Sequence, residues 1–265
     1  MDDVFSEIAK LAPGVARFLL FIYQFVDALV APLIMHVDPR MRFLVTAAVI
    51  TVFLWQVPFG NLILYPFTIL ATWFHEMGHG VTALILGGDF RDLKLYANGS
   101  GLATYTTDVM FGRYGHAMVA AGGPIGPPLA GALFLLTSRT FATAHWALIG
   151  VGITLVFSAY WWIRTTFGWI ATTLLAAGFI FVAAKGAPAL QIFAVQFLGV
   201  QACISTFRQI NYLFTKHAAV GGKMQLSDTG QMAEKLFFPY WFWGAALTAA
   251  TIGILYVGLQ WAVSV

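Results

Sequence analysis

The sequence predicts an all-α polytopic membrane protein of about eight transmembrane helices, six to eight being the range, with one small β-hairpin after the third. Three observations carry that expectation. Hydrophobic residues make up 60% of the chain and charged residues 9%, where a soluble domain is about a quarter charged. Mean hydropathy is +0.80. The apolar runs also recur at lengths near the roughly 20 residues that cross a bilayer. Such a chain cannot cover a water-facing surface in the usual way, and its 265 residues leave no room for a large additional soluble domain.

The first run, 15–36, carries Asp27 with Gln24 one turn earlier. An interfacial helix is the alternative there, and Asp27 is expected to pack against a polar partner rather than react. The second run, 42–58, is short, and Pro58-Phe59-Gly60-Asn61 turns it tightly into the third, 62–87. Next, 92–107 reads DLKLYANGSGLATYTT, two short alternating runs around Asn98-Gly99-Ser100-Gly101. Gly and Asn tolerate positive φ, so a hairpin is predicted. Further spans are read at 114–137, 141–162, 166–184, 188–206 and 238–262. Before the last, the connection from Arg208 to Phe237 contains LSDTGQMAEKLF, where Ser227 or Asp228 could cap a short helix. No long-period repeat or low-complexity tract divides the chain, so 1–265 is expected to be a single integral-membrane domain.

With eight spans, ten of the 14 Lys and Arg fall on one side, among them Arg91, Lys94, Arg113, Arg208, Lys216, Lys223 and Lys235. Lys10, Arg17, Arg139 and Lys185 fall on the other. Positive charge favours the cytoplasm, which puts the ten-charge side there and both termini outside. The acidic start MDDVFSEIAK lacks the basic region of a signal peptide. A pI near 9.0 reflects scattered loop residues, so no nucleic-acid partner is expected. The lone Cys203 excludes an internal disulfide and leaves the redox compartment undecided. The nine tryptophans and many phenylalanines read as lipid-facing or interfacial anchors.

The third run, LILYPFTILATWFHEMGHGVTALILG, has only three ionisable side chains, His75, Glu76 and His79. Positions i and i+4 share a helix face, so both imidazoles can reach one metal ion, and Glu76 is placed to take a proton from water. Ionisable groups in lipid are costly and mark function. Two histidines seldom complete a zinc site; a catalytic zinc has three protein ligands and an open position. The histidines lie about a dozen and eight residues before the end of their segment, roughly 12–18 Å in at 1.5 Å per residue. At similar depth the next span carries Ala121-Gly122-Gly123-Pro124-Ile125-Gly126-Pro127-Pro128, small residues that let helices approach closely.

These residues resemble the site-2 protease group of intramembrane zinc metallopeptidases, in its compact bacterial form without a PDZ domain. The resemblance rests on HEMGHGVTALILGG (75–88), GSGLATY (99–105), AAGGPIGPPLAGALF (120–134) and LSDTGQMAEKLFFPYWFW (226–243). It implies one Zn2+ per chain, His75 and His79 as ligands, Glu76 as catalytic base, and a later carboxylate ligand that falls on Asp228. The core it covers is approximately 60–243. Two departures stand out. The group often has Leu-Asp-Gly where this chain has Ser227-Asp228-Thr229-Gly230. It also often has an asparagine three residues after the Gly-Pro step, where this chain has no side-chain amide. The competing reading of Asp228 is a helix cap beside Ser227. Asp89, Asp92 and Asp108 are fallback carboxylates beside the hairpin. His116 and His145 are expected to be interfacial or hydrogen-bonded, and His36 and His217 solvated.

The expected function is hydrolysis of peptide bonds in or near transmembrane segments. The partners are a membrane protein substrate with a transmembrane helix and the lipid bilayer, with oligomeric state open. The implied location is a bacterial cytoplasmic membrane, active site toward the cytoplasm. A substrate helix must unwind first, and the 92–107 hairpin could receive it as an added strand. The alternatives are a non-proteolytic metal-binding membrane protein and a small-solute or ion transporter. Transport fits less well, because most spans carry almost no polar residues.

Overall fold

The structure, a computed structural model, describes residues 39–263, with side chains described from 44 to 262. The predicted first run at 15–36, with Gln24, Asp27 and, at its end, His36, lies outside the described residues. Eight helices and two hairpins follow one another along the rest. They are α1 (Pro39–Gln56), α2 (Gly60–Ile85), β1 (Phe90–Leu95), β2 (Gly101–Tyr105), α3 (Arg113–Thr137) and α4 (Phe141–Trp161). Then come α5 (Thr166–Lys185), α6 (Pro188–Leu213), β3 (His217–Val220), β4 (Lys223–Leu226), α7 (Asp228–Lys235) and α8 (Tyr240–Val263).

Eight helices are not eight spans. Among the described residues five (α3, α4, α5, α6 and α8) are long and apolar enough to cross a membrane. The apolar part of α1, Leu44–Gln56, is too short by that measure. At 26 residues, α2 is long enough but less apolar, because it carries Asn61, His75, Glu76 and His79. The eighth helix, α7, is a short polar one that the span count did not contain. Trp146, Ile153, Leu174, Tyr256 and Trp261 stand exposed on the long helices, apolar surface that lipid rather than water suits.

The boundaries follow local chemistry. At the return from α1, Phe59 takes a left-handed φ of 65° and the Gly60 amide donates to Val57 O at 3.1 Å. Thr140 and Thr165 cap α4 and α5 by accepting from the Thr143 and Gly168 amides. Asn98 Oδ1 accepts from the Ser100 amide and hydroxyl, closing the β1–β2 turn, as the Asn-Gly-Ser-Gly pattern predicted.

Helix α3 is the most buried of the five apolar helices and lies against α2, α6, α7 and α8. Three helical prolines and its glycines make this close packing workable: a Cβ on Gly126 would strike the Phe74 carbonyl, and one on Gly122 the Thr82 side chain. A second layer of α4 and α5 packs with α2 and α6 around Ile69, Trp73, Leu148, Leu155, Val195 and Leu198.

The outer edge of β1 is closed by the segment between α4 and α5. Leu93 donates to Trp162 O and accepts from the Arg164 amide, while the Thr165 hydroxyl donates to Leu95 O and accepts from Leu95 N–H. Leu93 is opposite Ala103 in the antiparallel register. Because Leu93 spends its backbone groups outward, Ala103 turns its own toward the free edge of β2. The second hairpin, β3–β4, lies in the 208–237 connection, where the sequence predicts only a short helix. Its turn is Gly221-Gly222, with φ of 56° and 81°, and Gly221 N–H donates to Ser100 Oγ at 3.3 Å, joining the two hairpin tips.

Candidate metal centre

Helix α2 presents His75, Glu76 and His79 from successive turns, and α7 presents Asp228 from its first residue. Ser227, not Asp228, caps α7, its hydroxyl accepting from Gly230 N–H. The cap and ligand readings of this segment are therefore both satisfied, by neighbouring residues. Gly123 of α3 completes the approach, since a Cβ there would collide with the imidazole of His79 and meet His75 Nε2 at 2.8 Å.

The donor atoms converge. His75 Nε2 lies 3.1 Å from Asp228 Oδ2, and His79 Nε2 lies 3.3 Å from Asp228 Oδ1. The two Nε2 atoms are 3.2 Å apart. Zn–N and Zn–O bonds of about 2.0–2.1 Å give a tetrahedron with edges of about 3.3–3.4 Å, so three edges of that size can surround one zinc. Both imidazoles are turned for this role. His79 Nδ1–H donates to Val119 O at 2.7 Å and His75 Nδ1–H to Gln209 Oε1 at 3.3 Å, leaving each Nε2 facing the centre.

Burial makes the cluster demanding. Glu76, His79 and Asp228 are 6%, 9% and 3% exposed, and Asp228 Oδ2 has no hydrogen-bond donor. Burial alone would raise the Asp228 carboxyl, and positive charge on His79 and His75 would outweigh it and hold the group below the ordinary carboxylate range. The triangle therefore needs positive charge, and a metal cation meets all three atoms at once where a proton meets fewer. His75, His79 and Asp228 fit a metal ion.

Glu76 points away from this triangle toward β2, where its Oε2 accepts from Ala103 N–H at 2.6 Å. Gly101 leaves room for it, since a Cβ there would strike the Glu76 side chain. A cavity of about 410 Å³ opens over the cluster, lined also by Tyr105, His116, Tyr212, Gln225, Gln231 and Glu234. Tyr212 braces the Asp228 backbone, its hydroxyl accepting from Asp228 N–H at 3.2 Å, and its ring stands edge-on to His75.

Sequence reading missed Gln209, Tyr212 and Tyr105. Helical phase from Asp228 could not point to them, because they arrive from α6 and β2. Of the two histidines expected to be interfacial or hydrogen-bonded, His116 lines this cavity and His145 is hydrogen-bonded to Gln191. His217 is exposed. Asp89, Asp92 and Asp108 are not in the metal-binding group.

Two histidines one helix turn apart and a carboxylate, with a glutamate beside them that is not a ligand, match the pattern of the H-E-x-x-H metallopeptidase class. The family model of Peptidase M50B-like proteins matches residues 16–258. The chain belongs to that family, consistent with the site-2 protease group. No curated protein and no solved structure matches the chain.

Proposed function

We propose that the protein is an intramembrane zinc metallopeptidase that cuts peptide bonds in or near transmembrane segments of membrane protein substrates. The observation that carries this reading is the His75, His79 and Asp228 triangle with Glu76 beside it, enclosed by apolar helices. Zinc held by those three residues supplies Lewis acidity that makes water nucleophilic at neutral pH. Glu76 takes the water proton and later gives it to the leaving amine. Its Oε2 is anchored by Ala103 N–H, which leaves the other oxygen for the proton. An unwound substrate stretch adds to the free edge of β2, next to Glu76.

The 122–128 stretch offers no amide side chain to a substrate carbonyl, and this favours a second reading, metal binding without proteolysis. One comparison separates the two: the termini of membrane-derived peptides in cells carrying wild-type protein or Glu76→Gln, at matched expression and zinc content. A set of termini present only with wild type is the expected result. Identical sets would remove the peptidase reading and leave metal binding.

A further inference from the structure

We propose that the Tyr105 hydroxyl hydrogen-bonds the oxygen of the scissile carbonyl as it becomes tetrahedral, supplying the donor that 122–128 lacks. This rests on the peptidase reading above.

Gly101, Ala103 and Tyr105 alternate onto one face of β2. That face is turned to the site, because a Cβ on Gly101 would strike Glu76. The Tyr105 ring is wedged against Ala83, Leu86, Val109 and Val119. The Val119 carbonyl accepts the His79 hydrogen bond, so the cluster that holds Tyr105 adjoins His79, while Tyr212 stands edge-on to His75. Tyr105 lines the cavity, and among the described residues no side-chain or backbone group hydrogen-bonds its hydroxyl. Burial and then the Asp228 charge raise that hydroxyl above its ordinary value, so the proton stays in place at neutral pH.

Other donors line the cavity. The Tyr212 hydroxyl accepts from Asp228 N–H, which leaves its own O–H free to donate, so Tyr212→Phe is compared alongside. Gln225, Gln231 and Lys235 are long side chains of which none is buried, and they would lose rotamer freedom on reaching in. A fixed donor needs no such reorganisation. His116 faces Tyr105 with ring centroids 6.2 Å apart and is a second rival to test.

In the step itself, Glu76 takes one proton from water and the water oxygen bonds to the carbonyl carbon. The C=O π pair moves onto the carbonyl oxygen, which Tyr105 O–H stabilises without giving up its proton. The pair then returns, the C–N bond breaks, and the proton on Glu76 goes to the nitrogen. Water and peptide become acid and amine.

The test uses the full-length protein in detergent with a synthetic single-span peptide carrying a central Asn-Pro pair, and a phosphonamidate version of it as transition-state analogue. Tyr105→Phe should lower kcat about 10²–10³-fold, the range for loss of one oxyanion donor. Its affinity for the analogue should fall in parallel, with KM and zinc content unchanged. Wild-type kcat in Tyr105→Phe, a loss matched by lost zinc, or a loss found in His116→Ala or Tyr212→Phe instead would each overturn the assignment while leaving the peptidase reading intact. Absence of cleavage by wild type, or equal cleavage by Glu76→Gln, would overturn that reading and the Tyr105 assignment with it.

Discussion

Gln209 shows how much a metal ligand depends on what stands behind it. Its side-chain oxygen accepts from His75 Nδ1–H, holding that ring in the tautomer and rotation that aim Nε2 inward. His79 gets the same service from the Val119 carbonyl, which no side-chain substitution removes. The two histidines should therefore respond unequally to mutation around them. Gln209→Ala is expected to weaken zinc affinity by about 10–100-fold, the usual cost of losing an outer partner, with the helical fold intact. Competition with a chromophoric chelator would check this; unchanged affinity would show that the bond does not orient His75. His75, Glu76 and His79 were legible in the sequence because their spacing sits on one helix turn. Asp228 was reached only through resemblance. Gln209 and Tyr105 were not legible, since nothing in their own segments marks them until α6 and β2 are packed beside α2.

Most helix boundaries were readable, because apolar runs in this chain end at polar or Gly-Pro punctuation. The exception is α6, which runs on to Leu213 through Arg208, Gln209 and Tyr212, where the polar residues read as a connection. The β1–β2 hairpin was equally readable from alternation around Asn98-Gly99. The β3–β4 hairpin was not: HAAV and KMQL are too short for alternation to stand out, although Gly221-Gly222 was a usable turn signal. What sequence could not show at all is that the 162–165 segment closes β1. Thr165 does three things there, capping α5 and making two hydrogen bonds to Leu95. Thr165→Val should remove all three and destabilise the protein by about 1–3 kcal/mol, given a cap worth about 1 and a typical net bond of about 1. Thermal unfolding in detergent would measure it, and an unchanged midpoint would mean that the strand edge is held by the Leu93 bonds alone.

At the scale of the whole molecule, the distribution of positive charge bears on which side the cavity faces. The span count behind the charge argument shifts here, since α1 and α2 do not meet the length and hydropathy of the five apolar helices. The charge distribution around those five is unaffected: Arg113, Arg164 and Arg208 fall near one set of ends, Arg139 and Lys185 near the other. We therefore expect the hairpins and the cavity to face the cytoplasm. In a Cys203→Ser background, a cysteine placed at Lys94 should react with a membrane-impermeant maleimide only after the cytoplasmic side is opened, and one at Lys185 in intact cells. The reverse pattern would invert the assigned orientation.

The placement of Asp228 has one more consequence. An ion held between α2 and α7 ties together two parts of the chain separated by both hairpins and four long helices. It acts as a cross-link, closing a loop whose entropic cost rises only slowly with length. The α3 glycines bring their helix close against α2, and the short polar helix α7 packs on α3 and α8. A metal bound here would add a direct clamp between α2 and α7, and so serve as a fastener as much as a reagent. A protein kept short of zinc would be expected to lose that clamp while the contacts of α7 with α3 and α8 remain.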